Sequence, residues 1–217
     1  MTFSNRAFWS IAFIEKVTCL LVNRVMELNP SWLTSTNYGR QSALACTALF
    51  AKVQGAHWPL SESSPYHLIG SLCAGLPHFA EGIWRCWGRD TLISLRGALL
   101  LTSRIDEALA GLISFGSTLR HGLIPNLLGE GKVSRYNCRD ATWFWLNSVC
   151  DFYKIDPTVF TKKVPHGFLT DDADFNAENQ TRSIEDVVLD ILDRHGQGIQ
   201  FRERNAGPKI DMNMDTR

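Results

Sequence analysis

Apolar and polar positions along the 217-residue chain follow a helical period in most of the stretches where a period can be read. Residues 1–28 carry apolar side chains all round and predict one long helix. Residues 29–40 are turn-rich, from Asn29–Pro30 to Tyr38–Gly39–Arg40, and 41–54 predict a short helix. Gly55, Pro59, Pro65 and a serine cluster then place an irregular loop over 55–70. From Thr91, Leu92, Leu95, Leu99 and Leu100 recur at helical spacing through residue 103. A further helix is expected from Ile105 to Leu119, with Asp106 and Glu107 in its first turn, where the helix dipole favours acids. Gly122, Pro125, Gly129 and Gly131 mark a long polar loop, after which Asp140 opens a helix to about Tyr153. Residues 156–182 read as an acidic loop. Ser183, ahead of Glu185 and Asp186, caps a helix to about His195, and 196–217 has no period. Strand signals are sparse. The recurring unit is helix, polar loop, helix, which predicts an all-α fold whose loops gather at one end and carry function.

Composition narrows the reading. Apolar residues make up 45%, enough for a packed core, and Lys+Arg and Asp+Glu both number 22. A zero net charge with no basic stripe argues against nucleic acid as a partner. The apolar stretch Phe8–Val25 is split by Glu15–Lys16, so it predicts a buried amphipathic helix and no membrane span. Six cysteines stand at 19, 46, 73, 86, 138 and 150 with no CxxC spacing, which reads as reduced thiols of a cytoplasmic protein without a metal site. No phosphate loop, dinucleotide fingerprint, nucleophile elbow or HExxH stretch is present, and no cofactor is expected.

Candidate chemistry concentrates in three clusters at helix–loop junctions. The first is Trp84–Arg85–Cys86–Trp87–Gly88–Arg89–Asp90. An Arg beside an Asp offers fixed donors and several acceptor sites, and a sugar hydroxyl both donates and accepts. Trp faces can stack on a sugar ring. The competing reading is a plain helix start, with Asp90 as N-cap and Arg89 paired to it. The second cluster runs from His121–Gly122–Leu123–Ile124–Pro125–Asn126 to Gly129–Glu130–Gly131, where Asn126 and Glu130 either face a ligand or are solvated loop polars. The third, Arg135 to Trp143, repeats the first: Arg139–Asp140 at a helix start, with Trp143 one turn on. A charged stretch, Phe201 to Pro208, reads as an exposed ion-pair network.

Taken together, AGLPHFAEGIWRCWGRDTLISLRG, TLRHGLIPNLLGEGKVSRYNCRDATWFW and GIQFRERNAGPKIDMNM resemble the C-terminal amylo-α-1,6-glucosidase region of the glycogen debranching enzyme family. The resemblance runs from about Ser71 to Asn213. It leaves 1–70 as a poorly matched helical segment and makes 71–217 the N-terminal part of a glucosidase barrel. It implies part of an (α/α)6 toroid of glucoamylase-like type, with the active site at one mouth. By the same resemblance Trp87, Arg89 and Asp90 hold the non-reducing glucose, while Glu130, Arg139, Asp140 and Trp143 line the mouth. The implied reaction is inverting hydrolysis of the single glucose at an α-1,6 branch, and the implied partner is glycogen or another branched α-glucan. Inversion needs a carboxylic acid and a carboxylate across the ring. In the family both lie C-terminal to the matching region, so no catalytic residue is expected within the chain, which is expected to be inactive alone. Such an incomplete toroid is expected to leave the flanks Leu99–Leu101 and Trp143–Trp145 uncovered. The alternatives are a non-catalytic glucan-binding or interaction module, and a structural helical domain whose Arg–Asp pairs are caps.

Overall fold

The computed structural model describes residues 3–51, 71–72, 86–129, 133–165 and 181–199, and these are predominantly helical. Helix α1 spans Phe3–Leu28, α2 Ser31–Thr34 and α3 Asn37–Ala48. The central part consists of α4 (Gly88–Leu95), α5 (Ile105–Gly116), α6 (Asp140–Tyr153) and α7 (Ile184–Gln197). Three short antiparallel ladders tie the loops: β1 (Phe50–Ala51) with β2 (Ser71–Leu72), β3 (Leu127–Gly129) with β4 (Val133–Arg135), and β5 (Lys163–Pro165) with β6 (Thr181–Ser183). A 3-10 turn, Pro157–Thr161, lies in the stretch expected to be loop. The irregular loop expected over 55–70 and the charged stretch 201–208 lie outside the described residues.

The central helices form where the period predicts them, because each has one apolar stripe to bury. On α5, Leu109, Leu112, Ile113 and Phe115 are buried, and they meet Leu92 and Leu95 of α4 and Trp145, Val149 and Phe152 of α6 in one continuous core. Trp145 is fully buried and its indole N–H donates to Leu112 O at 2.9 Å, so the largest core side chain is also satisfied. Ile184, Val187 and Ile191 bring α7 onto the same core. The Ser183 hydroxyl accepts from Asp186 N at 3.1 Å, and Asp186 Oδ2 accepts from Ser183 N at 2.8 Å, a reciprocal capping box at the start that the sequence announced.

Several details depart from the sequence reading. The stretch 29–40, read as turn-rich, holds α2 and the start of α3, and the helix read over 41–54 ends at Ala48. The helix from Thr91 passes at Arg96–Leu100 into a widened π turn, closed by Leu101 N donating to Arg96 O at 2.9 Å. Of the flanks expected to stay open, Leu99, Leu100 and Trp145 are buried while Leu101 and Trp143 are exposed. Trp143 and Trp145 are two residues apart on a helix and therefore face different ways. A further departure is α1, expected to be buried. None of its residues from Ile11 to Leu28 is, and Phe13 is 69% exposed. Among the described residues α3 packs along it, and that contact leaves Phe13, Ile14, Leu20 and Leu21 exposed. No described helix is long and apolar enough to cross a membrane.

Candidate functional site

The described parts of the three polar clusters, separated by up to fifty residues in the chain, meet in space; Trp84 and Arg85 of the first lie outside the described residues. Cys86 and Trp87 lead into α4, with Trp87 extended. Leu128 N donates to Cys86 O at 2.8 Å, Trp87 bridges Leu127, and Gly88 N donates to Asn126 O at 2.6 Å. On its other side Leu127 pairs with Arg135, and Asn126 N donates to Arg135 O at 2.8 Å. The first cluster, the second and the third thus form three neighbouring backbone segments, with Leu127 in the middle. Gly88 is required here: a Cβ at this position would stand 2.1 Å from Pro125 O, a backbone atom.

The second cluster begins in a tight hairpin. Arg120 and Leu123 exchange backbone hydrogen bonds of 3.0 and 2.8 Å across His121 and Gly122, whose φ angles are 54° and 74°. Two consecutive left-handed residues fit a two-residue hairpin turn, and the second is glycine. Its tip sits against α7, where a Cβ on Gly122 would come within 2.6 Å of Arg194 Cβ. The third cluster is anchored through Tyr136, buried, whose hydroxyl donates to Thr118 O at 2.6 Å, and through Thr142 Oγ1, which accepts from Ile124 N at 2.9 Å.

Helices α4 and α6 leave this junction in the same direction. Near their starts Arg89 Nη1 meets Asp140 Oδ2 at 3.1 Å, and further along Ser148 Oγ donates to Leu92 O at 3.0 Å. Two parallel helices thus present their positive N-terminal ends at one place, with Asp90 and Asp140 in their first turns. The capping alternative fails in its particulars. The N-cap of α4 is Trp87 and that of α6 is Arg139, neither through a side-chain cap bond, and Arg89 pairs across to Asp140, not to its neighbour Asp90.

The Asp140 carboxylate is held on both oxygens. Oδ1 accepts from the Cys138 thiol and Oδ2 from Arg89. Partial burial pushes its pKa up, but the two donors outweigh that and hold the carboxyl below the ordinary carboxylate value. The same contacts act on the partners: burial, and then the carboxylate, push the Cys138 thiol up, and the hydrogen bond to Asp140 raises Arg89 further. The pair is half-exposed, so lone pairs of the carboxylate and donors of the guanidinium stay open to an incoming molecule. A carboxyl held down in this way is a hydrogen-bond acceptor at neutral pH, the opposite of the raised carboxyl that a general acid requires.

Of the residues singled out from sequence, Trp87, Arg89, Asp90, Arg139 and Asp140 gather at this junction. Trp143 stands one turn beyond Asp140 on the same face of α6, half-exposed, and its ring packs on His195 of α7 at a centroid distance of 4.7 Å. Glu130 lies outside the described residues. Sequence reasoning passes over two members. Cys138 lies inside the third cluster, and its place two residues before Asp140 is the available signal. His195 has none, since only the packing of α7 brings it to Trp143. Among the described residues no group of His, Cys, Asp and Glu is arranged to hold a metal ion.

Comparison with known proteins agrees with the resemblance in these motifs. The family model described as amylo-alpha-1,6-glucosidase matches residues 53–217. The chain is also similar to a glycogen debranching enzyme of Saccharomyces cerevisiae, 43% identical over 188 residues, which covers 82% of this chain and 12% of that protein. The chain therefore spans a small part of that protein's length.

Proposed function

The chain belongs to the amylo-α-1,6-glucosidase family, and we propose that it supplies the glucose-holding wall of an active site that hydrolyses α-1,6-linked branch glucose in glycogen debranching. The observation that carries this reading is the Arg89–Asp140 pair, which joins two clusters fifty-one residues apart at the common end of two parallel helices. A glucose unit presents neighbouring hydroxyls that each donate and accept. A guanidinium and a carboxylate side by side, open to solvent, complement two of them at once. Asp90 and Arg139 extend the polar wall, and Trp87 and Trp143 offer ring faces at its edges. Glu130 belongs to the same wall by the resemblance alone.

The helix arrangement supports the toroid as well. In an (α/α)6 barrel, successive inner helices run parallel and are joined through antiparallel outer ones. Here α4 and α6 run parallel with α5 between them in the chain, and the segments leading into α4 and α6 meet at one end. The chain's own part in the reaction is binding: the held-down Asp140 receives hydrogen bonds and does not deliver a proton. The substrate is glycogen or another branched α-glucan, and the place of action is the cytoplasm, where glycogen is stored.

The test is a titration of the purified chain with isomaltose, which carries the α-1,6 bond, followed by tryptophan fluorescence. Saturable quenching in the wild type, lost in Asp140→Ala at unchanged melting temperature, is the expected result. A folded wild-type chain whose fluorescence ignores both isomaltose and a branched limit dextrin overturns the reading.

A further inference from the structure

Of the two groups that hold Asp140, one is a thiol, and a thiol is an unusual choice for a polar site. Cys138 is half-buried, and the short segment Tyr136–Arg139 that carries it, between β4 and α6, is fixed at both ends. Upstream, the buried Tyr136 hydroxyl is bonded to Thr118 O; downstream, Asp140 is already the first residue of α6. The thiol therefore sits on a rigid base two residues from the carboxylate it contacts.

We propose that Cys138 is a positioning residue: its S–H, donated to Asp140 Oδ1, sets the carboxylate so that Oδ2 meets Arg89 while the outer lone pairs remain directed at the ligand. The reason is geometric. An aspartate in the first turn of a helix is free to turn about its terminal torsion, which is broad. One partner on Oδ2 leaves that rotation soft; a second, on Oδ1, fixes the plane. Donation requires a protonated thiol, and burial together with the adjacent carboxylate favours that form at neutral pH. A thiolate in the same place would repel Asp140 and compete with it for Arg89. Cys138 thus acts only through Asp140 and touches no ligand itself. The role rests on the glucose-holding function proposed above.

Two measurements test it separately. In the first, no ligand is present: the pH profile of iodoacetamide alkylation is followed cysteine by cysteine by mass spectrometry, with the exposed Cys19 and Cys150 as internal references. Asp140→Asn should move the Cys138 profile to lower pH and Arg89→Gln should move it to higher pH, with Cys19 and Cys150 unmoved. A Cys138 profile indifferent to both substitutions overturns the contact and the proposal with it. In the second, isomaltose affinity is compared in Cys138→Ala and Cys138→Ser. Alanine should weaken binding about tenfold, the factor carried by 1.4 kcal/mol, at an unchanged melting temperature, and serine, whose hydroxyl can donate to the same oxygen, should restore it. Equal affinity in alanine and wild type, or an alanine loss that serine does not rescue, refutes the positioning role. Where the wild type itself binds neither isomaltose nor limit dextrin, the glucose-holding function falls and this role with it, while the alkylation profile still decides whether the thiol holds the carboxylate.

Discussion

The Arg89–Asp140 pair separates a binding role from a structural one, because the two roles differ in size. The pair is 44% and 46% exposed at its two side chains. An ion pair so open to water contributes only about 0.2–1 kcal/mol to folding. Arg89→Gln and Asp140→Asn, each removing a charge while keeping some hydrogen bonding, should therefore leave the melting temperature nearly unchanged. For a 150–250-residue domain, about 1 kcal/mol corresponds to roughly 2–4 °C. Ligand binding should be affected more strongly. A hydrogen bond to a charged group is worth about 1.5–3 kcal/mol, which is roughly ten- to a hundredfold in Kd. Calorimetric titration with a branched limit dextrin should show each single variant weakened by that factor. The double variant should be no worse than the weaker single, because neither group presents its hydrogen bonds correctly without the other. Additive losses in the double variant would mean that the two side chains bind independently, and that the observed pair is incidental. Melting temperatures that fall while the Kd stays put would return the pair to a structural role.

Three other outcomes follow from the packing and the charges. Gly88→Ala should destabilise by about 3 kcal/mol, the upper end of overpacking costs, since the added Cβ meets Pro125 O at 2.1 Å and neither backbone can yield without parting the clusters; a denaturant midpoint equal to wild type would show that the junction gives way without cost. Ser183→Ala should cost about 1 kcal/mol through loss of the capping box, read as a melting temperature lower by roughly 2–4 °C with unchanged isomaltose affinity; a variant as stable as wild type would contradict it. The acid limb of stability should be set by Asp140, Asp156 and Asp186, all held below the ordinary carboxylate value of 3.8, the first chiefly by Cys138 and Arg89 against its burial, the others by Thr158 and Ser183. Because their folded values are depressed, their contribution is complete above 3.8 and is lost as pH falls below it, so a thermal scan against pH should be level down to about that point and decline beneath it; a decline beginning near neutrality would point to other groups.

The sequence carried the helices that own a stripe and a start signal. Asp140 to Tyr153 was bounded correctly, and Ser183 with Asp186 three residues on announced α7, because capping and periodicity are local. It could not tell Trp143 from Trp145: both sit on one helix, and which of them is core depends on where α5 lies. The long helix α1 illustrates the same limit. Its apolar composition says that it wants cover, and only packing reveals that α3 covers little of it. The π turn at Arg96–Leu100 has no local signature of its own, since the leucines keep a period close enough to α to disguise it.

The site was legible as residue types and illegible as pairing. Each Arg–Asp dipeptide looked self-contained, and adjacency in sequence suggested that Arg89 would hold Asp90. Neighbours on a helix do not face each other, however. Once Gly88 is pulled against Pro125 and Asn126, and Asn126 against Arg135, the starts of α4 and α6 lie side by side, and the residue that Arg89 can reach is the first of the other helix. The cross-pairing is thus a consequence of one glycine and a short ladder. This has a functional corollary. A self-contained Arg–Asp dipeptide would form wherever its own helix formed, whatever the rest of the chain did. A pair split between two helices exists only when the loop of the second cluster is in place between them. The site is then a readout of the assembled junction, and a substitution such as Gly88→Ala, which touches no ligand, should abolish isomaltose binding under conditions where α4 and α6 are still individually helical.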